Sequence, residues 1–333
     1  MTMENNVKIS VILPVFNGGE FIKEAIDSVV NQTFGDFELL VIDNCSTDST
    51  AEIVKSYPDK RISYFRNDSN LGLIYSLNRG LSLCRAKYIA RIDADDIALP
   101  ERFRMQYDFL ESHPEIGICG TSVVSFDNYS KKRWILHFPA DDLPIRAFAF
   151  FQSPFNHPSV MFRREIIESN NLQYPNDLYM AEDYGLWTNL LQYTKGANLQ
   201  TILMRYRKHN KSETTVADKV LNSRAQVVMK VQDKYLKYNN INLTPKQVEI
   251  FTLFTDRSMH FDLDSHNQKA ANAVLTEFLK QLTENHKELL KDTIKNLSAI
   301  SFYKFLKYRR LPLTVLFWKL FVKGGLYYAR KIV

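Results

Sequence analysis

The strongest constraint on this chain is a rhythm in its first hundred residues. Short β-branched runs alternate with stretches of helical spacing, and the last run empties into an acidic cluster. Residues 8–14 (KISVILP) read as a buried strand, β-branched on both faces. In residues 19–31 the apolar positions Phe21, Ile22, Ala25, Ile26, Val29 and Val30 recur at helical spacing. Residues 37–42 (FELLVI) predict a second strand, 50–57 a short helix, 62–65 a third strand and 73–84 another helix. A fourth strand, 88–92, runs into Asp93-Ala94-Asp95-Asp96. Alternation of this kind needs a mostly parallel sheet covered by helices. Right-handed crossovers then bring the loops after the strands to one crevice.

Beyond Pro100 the pattern loosens. A helix opening near Pro100, strands at 116–126 and 160–162, a helix at about 181–193 and a strand at 201–206 are expected, with 139–158 rich in proline and aromatics. At 333 residues the chain exceeds the usual size of one core. Its composition turns helical and rich in Lys and Asn near Val216. The expected division is therefore residues 1–215 as an α/β domain and 216–333 as a helical region.

The tail has its own signature. No acidic residue follows Asp292, while Lys304, Lys307, Arg309, Arg310, Lys319, Lys323, Arg330 and Lys331 alternate with aromatics such as Phe302, Tyr308, Trp318 and Tyr328. Such a mixture suits an interfacial helix on anionic lipid, and the plainer alternative is a helical pair packing its aromatics on the main domain. A net charge of +6, with the basicity concentrated in the tail, speaks against nucleic acid. Leu311 to Trp318 is stopped by Lys319, far short of the roughly 20 apolar residues a bilayer needs, and Val11 to Leu13 is stopped by Pro14. Cys45, Cys84 and Cys119 show no CxxC spacing, which fits a reducing compartment and neither a disulfide framework nor a zinc site. The expected location is the cytoplasm, peripheral to the inner face of the cell membrane.

Three carboxylates within four residues raise one another's proton affinity, and a divalent cation relieves that repulsion. Oxygen ligands on a loop suit Mg²⁺ or Mn²⁺, whereas a lone DxDD could equally be a solvated loop with a helix cap before Pro100. Asp43-Asn44-Cys45-Ser46-Thr47-Asp48 could hydrogen-bond a base or ribose, or cap the next helix. Pro14-Val15-Phe16-Asn17-Gly18-Gly19 opens a helix whose amides favour an anion, yet neither GxGxxG nor GxxxxGK[ST] occurs. Glu182-Asp183 begins a helix that continues through Trp187; helix-dipole stabilisation and general-base chemistry are both open there. His157, and Arg207 with His209, are weaker signals, the latter two suited to a diphosphate.

As an ordered set, these segments resemble glycosyltransferase family 2. The resemblance covers about residues 7–215 and runs through Ser10–Asn17, Val29–Leu39, Asp43–Asp48, Asn70-Leu71-Gly72, Asn78, Asp93–Asp96 with Pro100, Glu182-Asp183 with Trp187, and Tyr206–His209 with Ser212. It implies a GT-A fold, Rossmann-like with a mostly parallel sheet flanked by helices, and a C-terminal helical appendage. The implied enzyme is inverting and uses a nucleotide-diphospho-sugar, a divalent metal (Mn²⁺ or Mg²⁺) and a glycan or lipid-linked acceptor. By the same resemblance, Pro14, Phe16, Asn17, Asp43, Asn44, Asn78 and Asp93 belong to the donor nucleotide site, with Arg207 and His209 closing on the diphosphate. Asp95, Asp93 and His209 are the implied metal ligands, Asp183 the base with Glu182 beside it, and His157 and Trp187 members of the acceptor cleft. The family usually carries Asp-Asp-Gly-Ser at 43–46, so Asn44 and Cys45 depart from it.

Two other readings compete. A catalytically silent module could keep the same fold, though Asp95 and Asp183 are both intact. A sugar nucleotidyltransferase would show a glycine-rich basic loop after the first strand, and Asn17-Gly18-Gly19-Glu20 is not one.

Overall fold

The computed structural model describes residues 7–127, 133–209, 221–255 and 265–308. Two compact units emerge: Met1–Asp141 with Phe155–Ser212, and Asp142–Pro154 with Glu213–Val333. The junction expected at 215/216 and the basic tail beyond Tyr308 lie outside the described residues. Among the described residues no helix is long and apolar enough to cross a membrane.

The first unit opens with β1 (Ile9–Val15), α1 (Ile22–Val30), β2 (Phe37–Asp43), α2 (Thr50–Lys55), β3 (Ile62–Arg66), α3 (Leu73–Leu83) and β4 (Tyr88–Arg91). β1 and β2 are buried along their whole length, as their unbroken apolar runs require. α1 buries Ile22, Ala25, Ile26 and Val29, one stripe at helical spacing. Gly72, at φ 86, starts α3 in a left-handed conformation that favours glycine.

β5 (Ile97–Ala98), α4 (Arg102–Ser112), β6 (Ile116–Phe126), β7 (Trp134–Leu136), β8 (Met161–Arg163), α6 (Arg164–Ser169), α7 (Glu182–Leu190) and β9 (Lys195–Arg207) complete this unit, with α5 (Asp142–Ala149) falling in the second. The sheet runs β3-β2-β1-β4-β8-β6-β9-β5, with β7 on β6. β3, β2, β1 and β4 are mutually parallel, β9 is parallel to β6, and β8, β5 and β7 pair antiparallel.

Register decides where the loops meet. Val15 pairs with Asp43 and Asp43 with Arg66, so β1, β2 and β3 end level with one another. Arg91 pairs with Ile12, three residues short of that line, and Ile92 still donates to the Ile12 carbonyl at 3.1 Å. The acidic cluster therefore follows β4 alongside the last residues of β1. The last turn of β9 returns to the same edge through β5, where Ile97 pairs with Arg205.

The second unit packs α5 with α8 (Leu221–Tyr238), α9 (Pro245–Thr255), α10 (Ser265–Asn285) and α11 (Leu290–Tyr308). Its centre is aromatic. The Phe278 ring lies 5.0 Å from that of Phe251, 5.4 Å from Phe150 and 6.3 Å from Phe151. Beside them the buried Gln232 amide donates to the Phe151 carbonyl and to Thr255 and accepts from Thr252, so its polar ends are satisfied. Truncating a fully buried phenylalanine removes its apolar surface and leaves a cavity. Phe278→Ala is expected to destabilise the helical unit by about 3–5 kcal/mol, read as a lowered urea midpoint for loss of helical ellipticity. An unchanged midpoint would show that these rings are not the unit's core.

Candidate active site

The loops after β1 and β2 are stitched together by side chains. Asn17, at φ 51, donates its amide to Ser46 Oγ at 2.9 Å and accepts from the Thr47 amide at 2.8 Å. The Gly18 amide donates to Thr50 Oγ1 and that of Gly19 to Asp48 Oδ2, both at 2.9 Å. All three amides of this turn are therefore engaged within the protein, which removes the open anion cradle the turn suggested. What the turn presents outward is Phe16, whose side chain is half exposed just beyond the buried Pro14.

Asp43 is fully buried. Its Oδ1 accepts from the Ser46 amide at 2.8 Å, its Oδ2 accepts from the Tyr64 hydroxyl, and Arg66 Nη1 stands 4.0 Å away. Burial first, and then the Asp43 carboxylate, push the Tyr64 phenol up to about 12. Asn44 Oδ1 accepts from Asn67 at 3.0 Å and from the Leu71 amide at 2.9 Å, while Nδ2 donates to Asn70 Oδ1 at 2.7 Å. Cys45, where the family usually has glycine, sits at φ 66.

At the end of β4, Asp93, Asp95 and Asp96 each bring a carboxylate oxygen within 4.8 Å of the others. Asp93 pairs with the buried Arg91, and Asp95 Oδ2 lies 2.7 Å from His209 Nε2. Asp96 is fully buried; its Oδ1 accepts from the Arg207 amide at 2.8 Å, and its Oδ2 has no hydrogen-bond partner among the described residues. Burial, then the charges of Asp95 and Asp93, hold its pKa well above the ordinary carboxylate value. Three crowded carboxylates, one of them buried with an unsatisfied oxygen, offer oxygen ligands of the kind that Mg²⁺ or Mn²⁺ takes. His209 stands beside Asp95, outside that three-carboxylate group. Arg207 is built into the wall: its Nε donates to the Asp95 carbonyl at 2.7 Å, its guanidinium pairs with Glu24, and the Phe21 and Phe126 rings lie within 4.8 Å.

On the other side, Glu182 and Asp183 open α7, the first buried and the second half-buried. Trp187, one turn on from Asp183, is fully buried against Phe155, His157, Phe162 and Tyr174, with centroids 5.7–6.2 Å apart. Its side chain reaches no solvent. His157 Nε2 and the Tyr174 hydroxyl share a hydrogen bond of 3.0 Å. Asn78 Nδ2 donates to the Tyr174 carbonyl at 2.9 Å and Asn78 Oδ1 accepts from the Tyr174 amide at 2.8 Å, so both ends of this side chain hold main chain. Burial raises the Tyr174 pKa above its ordinary value, and Arg91, Asp183, Glu182 and Asp93 all act on the same phenol. Asp93 of the β4 cluster and both α7 carboxylates thus act on one residue.

Arg91 and Tyr174 carry this arrangement and were not singled out from sequence, whereas Asp96 was read there as part of the acidic cluster. A charged residue closing an otherwise apolar strand was a usable signal for Arg91; nothing local marks Tyr174.

The description "Glycosyl transferase family 2" fits residues 10–170. The amylovoran biosynthesis glycosyltransferase AmsE of Erwinia amylovora is 35% identical over 203 residues, covering 60% of this chain and 75% of AmsE. The chain belongs to glycosyltransferase family 2. Among solved structures, S. aureus TarS 1-349 in complex with UDP-GlcNAc superposes with a TM-score of 0.62 at 20% identity, covering 91% of this chain and 89% of that one. The mannosyltransferase PcManGT from Pyrobaculum calidifontis, in complex with GDP-Man and Mn²⁺, gives 0.56 at 16% identity, covering 96% and 86%. At those identities the likeness shows the fold, and that fold is GT-A.

In this glycosyltransferase His157 titrates far from its free value. Burial first, then the nearby Arg91 cation, lower its pKa well below 6.5, so the folded protein holds it neutral. As pH falls through 6.5 the unfolded chain takes a proton that the folded one refuses. The stability contributed above that pH is then lost, at up to about 1.4 kcal/mol per pH unit. His157→Gln keeps an acceptor for Tyr174 and does not titrate. Urea titrations at pH 7.5 and 5 should show a smaller acid loss in the variant, and an equal loss would rule out a neutral His157.

Proposed function

We propose that this protein is an inverting glycosyltransferase. It moves a sugar from a nucleotide-diphospho-sugar, UDP-linked, to a hydroxyl of a glycan or lipid-linked acceptor in cell-surface polysaccharide synthesis. The observation that carries the reading is that Asp93, a member of the β4 carboxylate cluster, and Glu182 and Asp183 of α7 all act electrostatically on the one buried Tyr174 phenol. Supporting it are the AmsE relative, named for amylovoran biosynthesis, and TarS, solved with UDP-GlcNAc.

On the donor side, Pro14, Phe16 and Asn17 flank the nucleoside, with the Phe16 ring free to cover a base. Asp43 and Asn44 shape the base and ribose pocket by holding its loops. Asp95 and Asp93, with Asp96 behind them and His209 beside Asp95, would hold the cation; a Mn²⁺ accompanies GDP-Man in PcManGT. When bound, that cation neutralises the negative charge growing on the departing diphosphate. Arg207 fixes the Asp95 carbonyl and Asp96, and so keeps the cluster in place.

On the acceptor side, Asp183 accepts the proton of the attacking hydroxyl, with Glu182 behind it and His157 and Trp187 supporting the floor. The oxygen attacks the anomeric carbon opposite the leaving diphosphate. One such displacement inverts configuration, so an α-linked donor gives a β-glycoside. The basic aromatic tail would hold the enzyme peripherally at the cytoplasmic membrane face, where lipid-linked acceptors are presented.

Asp183→Asn should lower transfer by roughly 10²–10⁴-fold, the usual contribution of a general base, while nucleotide-sugar affinity stays near wild type. If affinity drops in step with turnover, Asp183 is not the base. In a thermal-shift panel of nucleotide-sugars, UDP-sugars should raise the wild-type midpoint further when Mn²⁺ is added. Asp95→Ala should abolish that increment, and an undiminished Mn²⁺ effect would remove Asp95 from the ligand set.

A further inference from the structure

We infer that Tyr174 and Asn78 are positioning residues for Asp183: residues 174–181 form a strut that carries α7, anchored at one end on α3 by the Asn78 amide. The inference rests on the proposed role of Asp183 as base. The resemblance to the family assigns Asn78 to the nucleotide site, whereas its amide is hydrogen-bonded at both ends to the Tyr174 main chain, 96 residues away.

The strut is continuous from α3 to α7. At its first residue Tyr174 is 1% exposed, and its hydroxyl meets His157 at 3.0 Å. The Leu178 amide donates to the Pro175 carbonyl at 3.2 Å, that of Ala181 to Leu178 at 2.9 Å, and that of Gly185 to Ala181 at 2.9 Å. Met180 takes φ 78, a left-handed conformation that a side chain adopts only when its surroundings impose it. The strut also lies flat against α7. A Cβ added at Gly185 would fall 2.5 Å from Leu178 Cδ1 and 3.3 Å from Pro175 Cγ, so only glycine lets the two approach this closely. Further along, Trp187 seats the Asp183 face of the helix on His157 and Tyr174.

These contacts act on the Asp183 carboxylate through α7, and none of these hydrogen bonds is made to the loops after β1, β2 or β4. A displaced base costs turnover, since about 1 Å of misplacement can lower a rate 10²-fold. Donor affinity has no reason to follow.

Tyr174→Phe keeps the ring and deletes the hydrogen bond to His157. It should lower kcat about tenfold or more, with donor KM and Mn²⁺ activation within about twofold of wild type. Asn78→Ala reads the same quantity through the other anchor, so the test stands even if one variant does not fold. The two losses should be less than multiplicative in the double variant, because both act through one element. A raised donor KM with intact kcat in Asn78→Ala would make Asn78 a nucleotide contact and overturn the inference. Wild-type kcat in Tyr174→Phe would also overturn it. Asp183→Asn measured in parallel separates the two ideas: its retained turnover would sink the base, whereas an inactive Asp183→Asn beside a fully active Tyr174→Phe would sink the strut alone.

Discussion

Carboxylate crowding at the close of β4 is the interaction on which the rest of this structure turns. Three acidic groups within 4.8 Å cannot all stay ionised in a partly buried loop unless something answers their charge. The chain answers from three directions. Arg91 pairs with Asp93 from the strand itself, His209 approaches Asp95 from beyond β9, and the main-chain amide of Arg207 binds Asp96. Beneath them lies Arg102, fully buried and bonded to the Arg91 and Val160 carbonyls, its pKa pulled down to about 9 by burial and then by Arg91. β9 must therefore return beside β5, and the antiparallel Ile97–Arg205 pairing is what delivers Arg207 to Asp96.

The opposite demand is met on the α7 side. In the proposed reaction the base must be held in place, and half-buried Asp183 sits in the first helical turn of α7. Its support is apolar and aromatic. The neutral His157, the Tyr174 phenol and the Trp187 indole bring no net charge that would compete with the β4 cluster. Paired charges thus surround the β4 cluster while uncharged rings support α7, a division suited to the proposed reaction, which expels an anion at one place and removes a proton at another.

Much of this was legible in the sequence. The unbroken apolar runs of β1 and β2 and the apolar stripe of α1 predict their elements because burial alone selects them. The helix carrying Glu182, Asp183 and Trp187 was likewise expected from its apolar spacing. By contrast, β5 and β7 are two and three residues long and exist only through backbone pairing with distant strands, so no local pattern announces them. α5 hides in a segment that reads as a proline-rich loop, because Pro144 is tolerated in a first turn, where its missing amide donor is not needed. The roles of Arg207 and Asn78 depend on partners 183 and 96 residues away, Glu24 and Tyr174, which no spacing rule reaches.

The departures from the family pattern at 44 and 45 have a local logic of their own. Asn44 both accepts, from Asn67 and Leu71, and donates, to Asn70 Oδ1. A carboxylate could accept in the same place but has no proton to give Asn70, whose Oδ1 also accepts from Gly72 at 3.2 Å. Asparagine at 44 therefore belongs with asparagine at 70, and the two form one unit that closes the loop before α3. Cys45 is the costlier departure, since a left-handed residue with a Cβ loses about 1–2 kcal/mol relative to one without. Its neighbours offset part of that strain: Arg66 Nη2 lies 3.6 Å from the Cys45 sulfur and donates to the Ser46 carbonyl at 3.0 Å. The loop after β2 thus carries neutral amides and one exposed guanidinium where the family usually has a second carboxylate. For the proposed donor site this makes the shape of the loop, more than its charge, the basis of selection among bases.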